Sequence, residues 1–313
     1  ATGLGRGSGP MVGEAVTASV HSGLTVRTAL DPAGQPFLDH HRIDGTPVLP
    51  GVMGLEAFAE TARLLVPGWH VAAIEDVDFR APVKFHRDQP RTLTVTALVR
   101  PDGPDLVADC ALAAERVLPG SDAPQRTVHF TGSVRLSQRR LEPDRRLEPE
   151  RQPEPQGGVL PARDGPSLDP AEVYRLYFHG PAYQVVGEAW RHGEGAAARF
   201  ATGLPAGHDP ATGPTVTGPR LVELCLQAAG LWEAGTQGRL ALPLHIGRVR
   251  LLADPVEGGD VVAVAHATGT GFDCAVRDGA GRVMLRLEDY RTIAMPQPVD
   301  DDVCRPIRSV MNS

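Results

Sequence analysis

The chain has 313 residues, enough for two compact units of roughly 100–200 residues each. An apolar fraction of 42% can fill two cores, but aromatics at only 5% leave those cores to Leu, Val and Ala. A formal net charge of −7 excludes the basic surface of a nucleic-acid binder, and no run approaches the roughly 18 apolar residues of a membrane-spanning helix.

The opening stretch ATGLGRGSGPMVGEAV has no basic segment followed by an apolar run, so no secretory signal is expected. The chain starts on Ala and both ends read as polar tethers, which is expected of a domain cut from a longer polypeptide. Cys110, Cys225, Cys274 and Cys304 are scattered without a C-x-x-C pair, so neither a metal site nor a disulfide framework is expected. Free thiols on apolar segments fit a reducing, cytoplasmic setting.

The first informative stretch is DHHRIDGTPVLPG, residues 39–51, in which adjacent imidazoles, His40 and His41, precede a Gly- and Pro-punctuated turn. Proline fixes backbone angles and glycine permits close approach, so His41 is held in a defined place. An imidazole held there serves either as a general base or as a loop histidine with hydrogen-bonding duties only. For His40 the pattern suggests no comparable role.

GVMGLEAFAETARLL (51–65) predicts a helix, with Leu55, Phe58, Ala59, Ala62 and Leu65 on one face and Glu56, Glu60 and Arg63 on the other. Strand-like runs follow at 73–79, 91–99, 106–114 and 126–136. Residues 138–167 carry RRLEP twice, many prolines and mixed charge; such a run reads as an extended linker. The second half repeats the plan. GPRLVELCLQAAGLWEAG (218–235) predicts a helix with Pro219 in its first turn and Gly235 just past its end. Strand-like runs return at 244–252, 260–268, 271–278 and 282–293. The expected organisation is a first unit over 1–137, the linker over 138–167, a second unit over 168–299 and a tail over 300–313. A helix followed by antiparallel strands, twice, predicts an α+β fold with two sheets that each wrap a helix.

The second helix is apolar nearly all round and therefore buried, yet Glu223 and Gln227 sit four apart on one face. A buried carboxyl must be paired, hydrogen-bonded or protonated. Glu223 is either a general acid or the partner of Arg220 at i−3, capped by Gln227. In YFHGPAYQ (177–184), the Gly180-Pro181 turn between His179 and Tyr183 can line a pocket or can simply be a strand entry.

HRIDGTPVLP has the form H-x-x-x-G-x-x-x-x-P. It is followed by FHGPAYQ, close to Y-G-P-x-F, and by GPRLVELCLQ, close to H-P-x-L-x-D-x-x-x-Q. In these residues the chain resembles the dehydratase domains of bacterial type I polyketide synthases and related fatty acid synthases. HRIDGTPVLPGVMGLEAFAE is most similar to the iterative synthases of the polyunsaturated fatty acid and enediyne kind.

The resemblance implies a double hot-dog fold and a tunnel holding His41 and Glu223, with His41 expected as base and Glu223 as acid, the alternative being that His41 handles both protons and Glu223 only holds the hydroxyl. It implies a β-hydroxyacyl substrate on the phosphopantetheine arm of an acyl carrier protein, no bound cofactor or metal, and a 2-enoyl thioester product. Gly51 at the helix start would supply an N–H to the thioester oxygen, and Gln227 would orient Glu223, with His179, Gly180, Pro181 and Tyr183 shaping the substrate's place. The expected partners are the carrier protein and neighbouring synthase domains, with pairing of two copies through the first unit left open. Three positions depart from the family: Glu223 stands for Asp, Gly218 for His and His179 for Tyr. The alternatives are a product-template-like cyclase and a non-catalytic hot-dog module of a megasynthase.

Overall fold

The computed structural model describes residues 9–19, 21–117, 124–139 and 160–313. Most of the predicted linker, 140–159, and the first eight residues lie outside the described residues. The described residues form two compact units, one within 9–139 with 179–183 and 205–219 and the other within 160–178, 184–204 and 220–313.

The first unit contains β1 (Glu14–Ser19), β2 (Gly23–Leu30), α1 (Pro36–Asp39), β3 (Arg42–Ile43), β4 (Thr46–Pro47), α2 (Gly51–Leu65), β5 (His70–Phe79), β6 (Arg91–Asp102), β7 (Asp105–Val117) and β8 (Pro124–Ser137). Its main sheet runs β1-β2-β6-β7-β8-β5 and is antiparallel throughout. Helix α2 lies against β2 and β5 to β8, on the span predicted from its periodicity. Its two faces are not what the sequence suggested. Every residue from Val52 to Ala62 is buried, Glu56 and Glu60 included. The helix can lie so deep because it is narrow at Gly51 and Gly54. A Cβ at Gly54 would stand 2.3 Å from Phe130 Cδ2, and one at Gly51 would stand 2.8 Å from Phe79 Cε1. The two rings meet edge to face at 5.1 Å and cap that side of the helix.

The second unit contains β9 (Ser167–Leu168), α3 (Pro170–Val173), β10 (Val186–Arg191), β11 (Gly195–Phe200), α4 (Pro219–Gln237), β12 (Ala241–Leu251), β13 (Val262–Ala267), β14 (Phe272–Arg277), β15 (Val283–Ala294) and α5 (Asp301–Met311). The sheet order is β12-β15-β14-β13-β11-β10-β9, again antiparallel. Each unit is thus an antiparallel sheet with a long buried helix, the double hot-dog arrangement. In α4, Leu221, Val222, Leu224, Cys225, Ala228, Ala229, Leu231 and Ala234 are fully buried. Its Glu233 carboxylate accepts from Thr292 of β15.

One expectation, at the end of α4, is corrected. Gly235 does not end α4. The helix runs to Gln237, and Gly238, at φ +67°, turns the chain out, its N–H donating to Ala234 O. Gly235 is needed inside the helix, because a Cβ there would meet Met311 Cβ at 2.5 Å. Met311 belongs to α5, which occupies most of the expected tail. Cys304, Ile307, Val310 and Met311 fall at helical spacing and are buried, and Asp300 caps the first turn through Asp302 N–H.

Candidate active site

In the first unit the doubled histidine is built by a hairpin. Asp44 (φ 49°) and Gly45 (φ 75°) form a tight turn of the kind Asp-Gly favours, closing β3 onto β4. That closure returns Val48 to His41, whose carbonyl accepts from Val48 N–H at 2.9 Å. The His41 ring is buried, and its Nδ1 lies 2.7 Å from Val48 O. A carbonyl only accepts, so Nδ1 carries a proton, and in the neutral imidazole the lone pair is on Nε2. The spacing from His41 through Asp44-Gly45 to Val48 is therefore the spacing of a hairpin that sets one imidazole tautomer.

His40 has a role the sequence did not reveal. Its carbonyl accepts from Gly180 N–H at 2.8 Å, and its Nδ1 accepts from Ala182 N–H at 3.0 Å. Gly180 is required for this approach, since a Cβ there would stand 3.0 Å from His40 Cα and Cβ. His40 thus holds the Gly180-Pro181 turn against the hairpin. His41 and His179 form an antiparallel bridge with their rings 5.2 Å apart, and Tyr183 is buried at the end of the turn. His41, His179, Gly180, Pro181 and Tyr183, chosen from sequence, are so gathered in the first unit.

Gly51 opens α2 directly after Pro50, whose carbonyl receives Met53 and Gly54 N–H. Among the described residues no acceptor takes the N–H of Gly51, which leaves a helix-terminal donor with the favourable end of the helix dipole behind it. One turn further on, Glu56 is fully buried and accepts from Val216 N–H at 2.6 Å, Thr217 N–H at 2.8 Å and Thr217 Oγ1 at 2.5 Å. It thereby fixes the two residues just ahead of Gly218 and α4. Glu60 accepts from Met11 N–H at 3.0 Å. Burial, with the Glu56 carboxylate second, pushes its carboxyl up to about 10.

In the second unit Glu223 and Gln227 are buried on α4, and Gln227 Nε2 donates to Glu223 Oε1 at 2.9 Å. Arg220, the sequence's other candidate partner for Glu223, also pairs with Glu257. Two tyrosines complete the arrangement. Tyr174 donates to Gln227 Oε1 at 2.9 Å and accepts from Val186 N–H at 2.7 Å. Tyr177 donates to Gln227 O at 2.6 Å, in a gap left by Gly230, where a Cβ would meet its hydroxyl at 2.5 Å. Burial pushes both phenols well above their ordinary range, so both are neutral donors. Their signal was present in the sequence: Asp169-Pro170-Ala171-Glu172 is a capping box, and the single turn it starts ends at Tyr174.

Comparison with known proteins gives a consistent picture. A family model for the polyketide synthase dehydratase domain matches residues 9–108, and one for the polyketide synthase dehydratase N-terminal domain matches residues 152–302. The chain is 29% identical to the polyketide synthase GfsA of Streptomyces halstedii over 304 residues, 92% of this chain and 4% of that protein. It is 27% identical to a polyunsaturated fatty acid synthase polypeptide of Thraustochytrium sp. over 248 residues, 72% of this chain and 8% of that protein. The chain so spans 4–8% of the length of these curated relatives, and identity is much the same to both kinds of synthase. Its fold superposes on the dehydratase domain from the CurF module of curacin polyketide synthase with a TM-score of 0.69 at 17% identity, covering 91% of this chain and 99% of that one.

Proposed function

The chain belongs to the polyketide synthase dehydratase family, whose members remove water from β-hydroxyacyl thioesters, and from that premise we propose that His41 and Glu223 carry out this elimination. The neutral His41 takes the α-proton on Nε2, and Glu223 gives its proton to the departing β-hydroxyl, leaving a 2-enoyl thioester and water. The N–H of Gly51 steadies the enolate-like oxygen as charge develops on it. Gln227 orients Glu223, while Gly180, Pro181 and Tyr183 with His179 shape the place of the acyl chain. The observation that carries the reading is the 2.7 Å contact of His41 Nδ1 with Val48 O, which turns the imidazole into a base directed through its other nitrogen. The substrate is presented on the phosphopantetheine arm of an acyl carrier protein, and the working assembly includes neighbouring synthase domains. No helix among the described residues is long and apolar enough to cross a membrane.

The test is intact-mass analysis of a β-hydroxyacyl carrier protein incubated with the chain. Loss of one water is expected, and His41→Ala should lower its rate by at least about 100-fold, the lower end of a general base's contribution. Retention of full mass with a cyclised or unchanged acyl chain would instead indicate the cyclase or the non-catalytic reading.

A further inference from the structure

We infer that Tyr174 is a positioning residue that sets the direction of the hydrogen bonds reaching Glu223, so that the acid presents its proton to substrate and not to Gln227. The inference rests on the reading of Glu223 as the acid. Its basis is the polarity of a short chain of groups. Val186 N–H can only donate, and it occupies the Tyr174 oxygen at 2.7 Å. The phenol proton then goes to Gln227 Oε1 at 2.9 Å. With its oxygen engaged, the amide has only Nε2 to offer Glu223, and it donates to Oε1 at 2.9 Å. A protonated carboxyl that accepts on Oε1 carries its hydrogen on Oε2. Were the amide reversed, its oxygen would face Glu223 and draw that hydrogen away from the leaving hydroxyl. Tyr174 therefore prevents a half-turn of an amide whose two orientations occupy the same volume.

The anchor is fixed independently of substrate. Tyr174 is set by the Asp169–Glu172 capping box on one side and by β10 on the other. Tyr177 ties the Gln227 backbone, so only the side-chain amide is left to be oriented. Among the groups whose ionisation the Glu223 charge disfavours are Tyr174, Tyr177 and Tyr290, all buried and neutral in the working range.

The experiment measures kcat and KM against pH on a β-hydroxyacyl pantetheine thioester for the wild type, Tyr174→Phe, Gln227→Met, the double variant and Glu223→Gln. Tyr174→Phe should lower kcat by about 10- to 100-fold, part of a general acid's contribution, with KM within about twofold. A hydrogen bond donated to a carboxylate favours its charged form, so losing it should also move the basic limb of kcat to higher pH. The double variant should be no slower than Gln227→Met, because both changes cut one path. Wild-type kcat and an unmoved basic limb in Tyr174→Phe, or multiplied losses in the double variant, overturn the inference. Should the Phe variant lose its fold, Gln227→Met carries the test alone, and a wild-type profile there overturns the relay. Full turnover by Glu223→Gln would instead overturn the underlying assignment of the acid.

Discussion

Glu60→Gln should stabilise the protein, and increasingly so as pH rises. Glu60 sits on the fully buried stretch of α2, and its folded carboxyl is pushed from 4.5 to about 10, first by burial and then by the neighbouring Glu56. Below about pH 4.5 the folded and unfolded chains both hold the proton, and the group has no effect on stability. Between 4.5 and about 10 the fold keeps a proton that the unfolded chain has released, so each unit rise in pH costs about 1.4 kcal/mol. From pH 6 to pH 8 that amounts to about 3 kcal/mol. At about 2–4 °C per kcal/mol for a unit of this size, Tm should fall by about 6–12 °C over the interval. Glutamine has nearly the shape of the protonated acid and still accepts from Met11 N–H, but it has no proton to take up. Its Tm should therefore fall less over the same interval, and the difference between the two proteins removes the contributions of histidines common to both. Thermal melts followed by circular dichroism at pH 6, 7 and 8 provide the measurement. Parallel slopes in the two proteins, or a variant less stable than wild type at pH 8, would refute the argument that this carboxyl is protonated in the fold.

Two glycines give further tests. Gly54→Ala gains about 1 kcal/mol of helix propensity but drives a methyl to 2.3 Å from Phe130 Cδ2, and overpacking of that kind costs about 1–3 kcal/mol. A net loss of up to about 2 kcal/mol in urea unfolding is expected, and a gain would show that the Phe79–Phe130 pair has room to move. Gly180→Ala should push the Gly180-Pro181 turn off His40 by a few tenths of an ångström and lower kcat about tenfold while Tm changes little, since catalytic geometry is less tolerant than packing. An unchanged kcat would detach that turn from the reaction.

Helix α2 was legible because its apolar spacing and the Pro50-Gly51 start are both local signals, and most strands from β5 onward were legible from their alternation. β1 and β2 were not recognised, nor were β9, β10 and β11. The last of these is GAAARF, whose alanines carry almost no strand propensity and are buried because Trp190 and Val262 pack over Ala197. Glu56 and Glu60 were placed with Arg63 on the face opposite the apolar one, with no local sign that this face too is covered. Their burial depends on Val216, Thr217 and Met11, partners 160, 161 and 49 positions away that no window of sequence contains. The same holds at the site. His41 and its tautomer-setting carbonyl lie seven residues apart within a turn that the residues announce, whereas His40 answers to Ala182, 142 positions on. Tyr174 was missed for a different reason: the capping box that places it is short, and a single helical turn gives no periodicity to read.

The proposed elimination needs one imidazole and one carboxyl to act on the same bound β-hydroxyacyl thioester. The most direct measurement is a crystal structure of Glu223→Gln with a β-hydroxyacyl pantetheine thioester bound. His41 Nε2 is expected about 3–3.5 Å from the substrate α-carbon, with the side chain at 223 within hydrogen-bond distance of the β-hydroxyl. A substrate lying against only one of the two residues, with the other turned to separate solvent, would contradict it.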